Sequence, residues 1–250
     1  MWGLRHKDTG NISAFFMHIP KTSGTRVLRY ISKYYADEYE FKNILDMYNE
    51  DRVLHESIGG EPDPRHVHFP IENHAHITLD QAFCLYPNLK QYIADNNIDV
   101  FTIVRDPYER FVSCLRFIPT LMISDFAMVG KPKYEQLESH WFHHYKTNEM
   151  LMSQSPYVFE KEEDTTPYTR VLYLEEITGT KYEVTKGVTV DFTEKTWSNE
   201  HANREIEKEN TWTVPFYIPK FELDEGTRDF VKWFWKDDFE KLFKGYFKLR

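Results

Sequence analysis

The chain has 250 residues, of which 16% are aromatic and 28% are charged, and its formal net charge is −9. This length fits one large domain spanning residues 1–250, and the aromatic content excludes a disordered chain. The acidic balance argues against a broad basic face, so no nucleic-acid partner is expected, although a local basic pocket remains compatible with it.

Two cysteines, Cys84 and Cys114, lie outside any metal-ligand or redox motif, which favours a reducing compartment. Residues 1–10 are polar, and no apolar run reaches the length that spans a membrane. We therefore expect a soluble, cytoplasmic protein with no membrane segment in this chain. Residues 1–11 are predicted to be a short lead-in to the first strand and helix.

Residues 15–25 read FFMHIPKTSGT. The run of apolar residues that forms the first predicted strand ends at the proline of this stretch. Apolar residues at helical spacing follow, among them Val27 and Ile31, so the pattern predicts a buried strand, a tight turn and an amphipathic helix. The turn would then lie at a helix N-terminus, where free N–H groups and the helix dipole favour an anion.

The residues of this turn have the chemistry of an anion site. Lys21 supplies positive charge, and Gly24 would let the backbone approach the anion closely. Three hydroxyl groups can donate hydrogen bonds, those of Thr22, Ser23 and Thr25. We interpret the turn as a phosphate- or sulfate-binding loop, and the alternative is an ordinary strand-to-helix turn with a polar cap.

A cluster of four histidines follows a predicted helix at residues 41–54 and a loop at residues 59–64; its members are His66, His68, His74 and His76. In an extended segment, residues two apart face the same side, so the last two imidazoles would share one surface. Three interpretations stay open: a general base with a neighbouring helper, a metal site formed by two His-x-His pairs, and hydrogen-bonded structural histidines. Helices are then predicted at residues 78–83 and 88–96.

A second strand-to-helix junction is predicted within residues 100–113. Asp106 fits the N-cap of the helix, with Pro107 at its first position and Glu109 at its third, as in a capping box. Arg105 stands at the junction, where its guanidinium group could grip a phosphate, and Ser113 could add a hydroxyl. The alternative is an ion pair between Arg105 and a nearby carboxylate such as Asp106.

Together the two junctions resemble the sulfotransferases that use 3′-phosphoadenosine 5′-phosphosulfate (PAPS), and most closely the carbohydrate branch whose first motif reads His-Ile-Pro-Lys-Thr. The resemblance implies that the first loop holds the 5′-phosphosulfate, through Lys21, Thr22, Ser23, Gly24 and Thr25, with Arg26 beside them. It also implies that Arg105 and Ser113 hold the 3′-phosphate. Residues 74–76 resemble the His-Gly-His of heparan sulfate 2-O-sulfotransferases, which makes His76 the catalytic base and His74 its helper.

The resemblance continues downstream, where residues 169–176 are similar to the family's late strand and residues 223–246 to its closing helix. The alternating strand and helix signals predict an α/β domain with a central, mainly parallel sheet flanked by helices, and the resemblance implies a P-loop-like core. The implied reaction transfers a sulfuryl group from PAPS to an acceptor hydroxyl, expected on a carbohydrate, and needs no metal. A P-loop nucleotide kinase and a histidine-metal binding protein are the alternatives, but the kinase string Gly-x-x-x-x-Gly-Lys-Ser/Thr is missing around Lys21.

Overall fold

A computed structural model describes residues 1–60, 76–117, 152–193, 222–244 and 246. The chain forms two compact units, which we name by their content. The sheet unit comprises residues 1–104 and 154–192, and the helical unit comprises residues 105–153 and 193–250. The single domain expected from the chain length stays a prediction.

The sheet unit is built on a five-stranded sheet in the order β3-β1-β2-β4-β5. Its strands are β1 (Trp2–His6), β2 (Ile12–Met17), β3 (Tyr39–Asn43), β4 (Asp99–Val104) and β5 (Arg170–Tyr173). Strand β4 is parallel to both β2 and β5, whereas β1 is antiparallel to both β2 and β3. The sheet is therefore mixed rather than mainly parallel, because the short turn between β1 and β2 allows only an antiparallel pair.

Helices and one hairpin complete the described elements. The helices are α1 (Gly24–Tyr34), α2 (Ile44–Glu50), α3 (Arg52–Ile58), α4 (Leu79–Leu85), α5 (Leu89–Asp95), α6 (Pro107–Phe117), α7 (Leu174–Ile177) and α8 (Glu225–Phe234). Strands β6 (Lys181–Thr185) and β7 (Val188–Asp191) form a separate antiparallel hairpin. A short 3₁₀ turn at Ser155–Tyr157 and a π-helical turn at Asp238–Leu242 are also present.

Several predicted elements are confirmed and two are wrong. Helices α4 and α5 occupy the two stretches predicted to be helical after the histidine cluster, and Thr78 and Gln81 form a capping box at the start of α4. Residues 1–11 are not a lead-in, because they contain β1, which is paired on both sides. The helix expected over residues 41–54 is interrupted, because its first residues belong to β3 and the rest form α2 and α3.

The core of the sheet unit holds α1 against the sheet. Val27 and Ile31 of α1 are buried with Phe16 of β2 and Phe101 of β4 in one apolar cluster. Burying side chains of this size contributes about 1.5–3 kcal/mol each. This packing fixes the N-terminus of α1 relative to the end of β2, which is where the predicted anion loop lies.

The helical unit has its own apolar cluster, formed by α6 and α8. Phe111 of α6 is fully buried with Phe230 and Trp235, and the Phe111 and Trp235 rings meet edge-on at 5.9 Å. Arg110 is also fully buried, with its guanidinium 4.7 Å from the centre of the Trp235 ring. Helix α8 lies where the closing helix was expected.

Within the described part of the chain, no helix combines the length and apolarity needed to cross a membrane.

Candidate active site

The end of β2 is tied to the neighbouring strand. Met17 lies opposite Thr102 of β4 in the parallel register, and the Thr102 hydroxyl donates a 2.7 Å hydrogen bond to the Met17 carbonyl. Residues 18–23 then form the β2–α1 loop. Within this loop the buried Thr22 hydroxyl donates to the Ile19 carbonyl at 2.9 Å. The Thr22 hydroxyl thus closes the loop on itself.

Two residues of the β2–α1 loop have left-handed backbone conformations although neither is glycine. Lys21 has φ 67° and Ser23 has φ 71°, and helix α1 begins directly after Ser23. A non-glycine residue in this region costs on the order of 1–2 kcal/mol. A left-handed residue followed by a helical one turns successive N–H groups toward a single concavity, which is an anion-binding nest. The first turn of α1 adds N–H groups that have no acceptor within the helix.

Gly24 leaves room for the side chain of His18. A Cβ atom at this position would overlap the imidazole of His18, so the missing side chain makes room for that ring. The His18 ring also lies nearly parallel to Phe16, with ring centres 5.6 Å apart and an interplanar angle of 19°. The glycine therefore seats a histidine between the sheet and α1.

His76 meets this histidine across the start of the loop. Its Nδ1–H donates a 3.0 Å hydrogen bond to the His18 carbonyl, and the two ring centres are 4.4 Å apart. Because Nδ1 carries the proton, Nε2 of a neutral His76 holds a free lone pair. Burial lowers the pKa of His76, with the hydrogen bond to His18 acting in the opposite direction. The ring is therefore neutral at pH 7 and can accept a proton at Nε2.

The start of α6, which belongs to the helical unit, is built differently. The Asp106 carboxylate accepts hydrogen bonds from the backbone N–H groups of Tyr108 at 2.9 Å and Glu109 at 3.1 Å, which confirms the predicted N-cap of α6. Burial raises the pKa of the Asp106 carboxyl. The Arg105 guanidinium lies 3.5 Å from the Glu109 carboxylate and is 22% exposed. Ser113 is half-buried on α6.

Among the described residues, no group of three or more His, Cys, Asp or Glu side chains is arranged to hold a metal ion. Of the four clustered histidines, His66, His68 and His74 lie outside the described residues, so the expected helper role of His74 stays a prediction. His76 is the member that the structure describes, and its Nδ1–H donates to the His18 carbonyl.

A comparison with protein families decides the class of this chain. The model described as "Sulfotransferase family" matches residues 7–244, which is nearly the whole chain. The chain belongs to the sulfotransferase family. It is therefore a transferase that moves a sulfuryl group to a hydroxyl-bearing acceptor, and the kinase and metal-protein alternatives are not favoured. No curated protein and no solved structure is significantly similar to it.

In this sulfotransferase, several predicted residues lie together in the sheet unit. Lys21, Ser23 and Gly24 shape the β2–α1 loop, and His76 is bonded to the residue that opens it. Thr25 is exposed on the first turn of α1. Arg26 instead donates to the Phe192 carbonyl at 3.3 Å and lies over the Phe192 ring at 5.8 Å. A role for Arg26 in nucleotide binding remains a prediction.

One residue of the sulfotransferase site was not singled out from the sequence. His18 is 6% exposed and contacts both Gly24 and His76. The available signal was its spacing from Phe16, since residues two apart at a strand end share a face. That spacing places the imidazole beside an apolar ring but does not identify its second partner, which lies 58 residues away in the chain.

Proposed function

We propose that this sulfotransferase moves a sulfuryl group from PAPS to a hydroxyl of a carbohydrate, with His76 as the general base and 3′-phosphoadenosine 5′-phosphate as the product. The hydrogen bond from His76 Nδ1–H to the His18 carbonyl carries the proposal, because it leaves Nε2 as the proton acceptor and ties His76 to the residue that opens the β2–α1 loop.

The β2–α1 loop fits the sulfated end of the donor. The nest at Ser23 and the first turn of α1 present N–H groups to an anion, and Lys21 brings a positive charge to the same loop. The positive charge of Lys21 acts on His18, because its electrostatic repulsion contributes to lowering the pKa of the His18 imidazole. These groups would hold the 5′-phosphosulfate, and the hydroxyls of Ser23 and Thr25 are available for further hydrogen bonds.

Arg105 and Ser113 are proposed to hold the 3′-phosphate. Arg105 directly follows β4, the parallel neighbour of β2, in a strand-then-helix order that is typical of a P-loop-like core. A guanidinium can bind phosphate through two parallel hydrogen bonds, which a point charge cannot do. Its contact with Glu109 is 3.5 Å long and partly exposed, so a phosphate could replace it.

The chemistry assigns each residue one task. His76 Nε2 accepts the proton of the acceptor hydroxyl as its oxygen forms a bond to sulfur, while the bond between sulfur and the bridging phosphate oxygen breaks. Lys21 neutralises the negative charge that grows on that bridging oxygen. The N–H groups of residues 22–25 stabilise the other sulfuryl oxygens. As in phosphoryl transfer, positioning and charge stabilisation supply most of the rate enhancement.

The carbohydrate acceptor is proposed from sequence resemblance. The first loop reads His-Ile-Pro-Lys-Thr, and the spacing of His74 and His76 matches that of the heparan sulfate 2-O-sulfotransferase pair. The acceptor is tested directly by incubating the enzyme with PAPS and a panel of glycans and small alcohols, followed by mass spectrometry for an added sulfuryl group. Sulfation of small alcohols without sulfation of any glycan would contradict a carbohydrate acceptor.

The base is tested with His76→Gln. Loss of a general base typically lowers the rate by about 10²–10⁴-fold, and this variant should still bind 3′-phosphoadenosine 5′-phosphate in calorimetry. His55→Ala is the matched control, because His55 is an exposed histidine on α3. Burial lowers the pKa of His76 below the ordinary histidine value of about 6.5. Wild-type kcat/KM should therefore fall, through protonation of His76, only when the pH drops below about 6.5. Near wild-type turnover by His76→Gln would contradict the assignment of His76 as the base. A folded protein that binds neither PAPS nor 3′-phosphoadenosine 5′-phosphate would contradict PAPS as the donor.

A further inference from the structure

We infer that His18 is a positioning residue for His76, which it holds in one tautomer and one orientation through two separate contacts. This inference rests on the proposed function, in which His76 is the base. The first contact is with the His18 carbonyl, and the second is with the His18 ring, against which the His76 ring is tilted.

The two contacts restrict different motions of His76. The hydrogen bond from Nδ1–H to the His18 carbonyl selects the tautomer and fixes one ring atom. A single hydrogen bond leaves the imidazole free to tilt about its axis. The His18 ring stops that tilt, because its centre lies 4.4 Å from the centre of the His76 ring at an interplanar angle of 51°. Nε2 is thereby aimed in one direction.

His18 can act as a fixed wall because its own ring is tightly seated. The ring lies between Phe16 of the sheet and the backbone of Gly24, where even a methyl group would overlap it. Only 6% of the residue is exposed. A displacement of about 1 Å in a catalytic group can cost about 100-fold in rate, so a seat of this kind has a kinetic consequence.

The charge state of His18 suits the same role. Burial lowers its pKa well below the usual value, and His76, the amino group of Met1 and Lys21 lower it further. A neutral ring adds no positive charge that would oppose protonation of His76. Nδ1 of His18 is buried without a hydrogen-bond partner among the described residues, so this atom forms no polar bond that holds His76.

The test compares His18→Ala with His18→Phe. Both variants keep the carbonyl, but only phenylalanine keeps a flat ring against His76. His18→Ala should lower kcat roughly 10- to 100-fold with unchanged affinity for 3′-phosphoadenosine 5′-phosphate. The acid limb of its kcat/KM profile should move to higher pH, because water admitted beside His76 relieves the burial that lowers its pKa. His18→Phe should resemble the wild type in both respects.

Nitrogen-15 NMR of the imidazoles supplies a readout independent of turnover, and His76 should keep its Nδ1–H tautomer in His18→Phe. Equal losses of kcat in both variants would overturn the inference, since a ring nitrogen would then be needed. Wild-type kcat and pH profile in His18→Ala would overturn it as well.

If His18→Ala does not fold, His18→Leu takes its place and should turn over several-fold more slowly than His18→Phe; equal turnover of the two would overturn the inference. Failure of the proposed function is recognised separately, because His76→Gln would then remain active. An inactive His76→Gln beside a fully active His18→Ala refutes only the role of His18.

Discussion

The strand-to-helix junctions after β2 and β4 have the same order of elements but differ in how the first N–H groups of the helix are capped. Each passes from a buried strand to an 11-residue helix. At α6, the Asp106 carboxylate accepts two N–H groups of the first turn. At α1, the Ser23 side chain caps none of the described N–H groups, and the residue itself is left-handed.

This difference separates two ways of binding an anion. The Asp106 carboxylate accepts N–H groups at the start of α6, so in the proposed site the Arg105 side chain would contact the ligand there. At the start of α1, the proposed ligand would itself accept N–H groups that left-handed backbone presents. We therefore expect backbone groups to dominate binding at the first junction and a side chain to dominate at the second.

The largest expected effect is at the second junction. Arg105→Ala should weaken binding of 3′-phosphoadenosine 5′-phosphate by roughly 2–5 kcal/mol, because a bound phosphate would lose its charged partner. Arg105→Lys should recover only part of this, since it lacks the guanidinium fork. Calorimetry measures both. Glu109→Gln is the control and should bind at least as tightly as wild type. Unchanged affinity in Arg105→Ala would show that the second junction binds no phosphate.

Lys21→Ala tests whether the first junction acts on the transition state. The charge that Lys21 neutralises is largest when the bridging oxygen leaves, so kcat should fall by about 10²–10³-fold while nucleotide affinity changes little. Steady-state kinetics separate the two quantities. Lys33→Ala is the control, because Lys33 is an exposed lysine on α1, the helix that follows the loop. A raised KM for PAPS with an unchanged kcat would instead make Lys21 a ground-state anchor.

Asp106→Ala sharpens the contrast through stability. Loss of an N-cap of this kind costs about 0.5–2 kcal/mol, because the N–H groups of Tyr108 and Glu109 lose their acceptor. Urea unfolding at pH 7 measures the change, and Asp106→Asn should recover most of it. If the alanine variant bound nucleotide more tightly than wild type, the start of α6 would itself be an anion site. That outcome would break the distinction between the junctions.

The sequence predicted elements well where the signal is local. The Asp106 cap depends on residues within one helical turn, and it is present. Strand β1 was missed because its five residues include Gly3, Arg5 and His6, and its stability comes from pairing with β2 and β3.

The same limit applies to the candidate site. Lys21 and His76 were singled out from motif and spacing and their roles stay predictions, whereas the position of the His18 ring was not foreseen. The position of the His18 ring depends on Gly24 and on His76, which is distant in the chain. No local sequence pattern predicts these contacts. The left-handed Lys21 and Ser23 were equally hidden, because propensity assigns that conformation to glycine.

The smallest effect tests whether the first junction depends on backbone alone. Ser23 has φ 71°, a conformation that costs a non-glycine residue about 1–2 kcal/mol and glycine almost nothing. Glycine also loses about 0.4–1 kcal/mol more on folding, so Ser23→Gly should raise the free energy of unfolding by about 0.5–1 kcal/mol. Its nucleotide affinity should stay within about threefold of wild type, since the N–H groups remain. Ser23→Ala is the control, because it keeps the strain and removes only the hydroxyl. Equal loss of nucleotide affinity in both variants would show that the hydroxyl, rather than the nest, holds the anion.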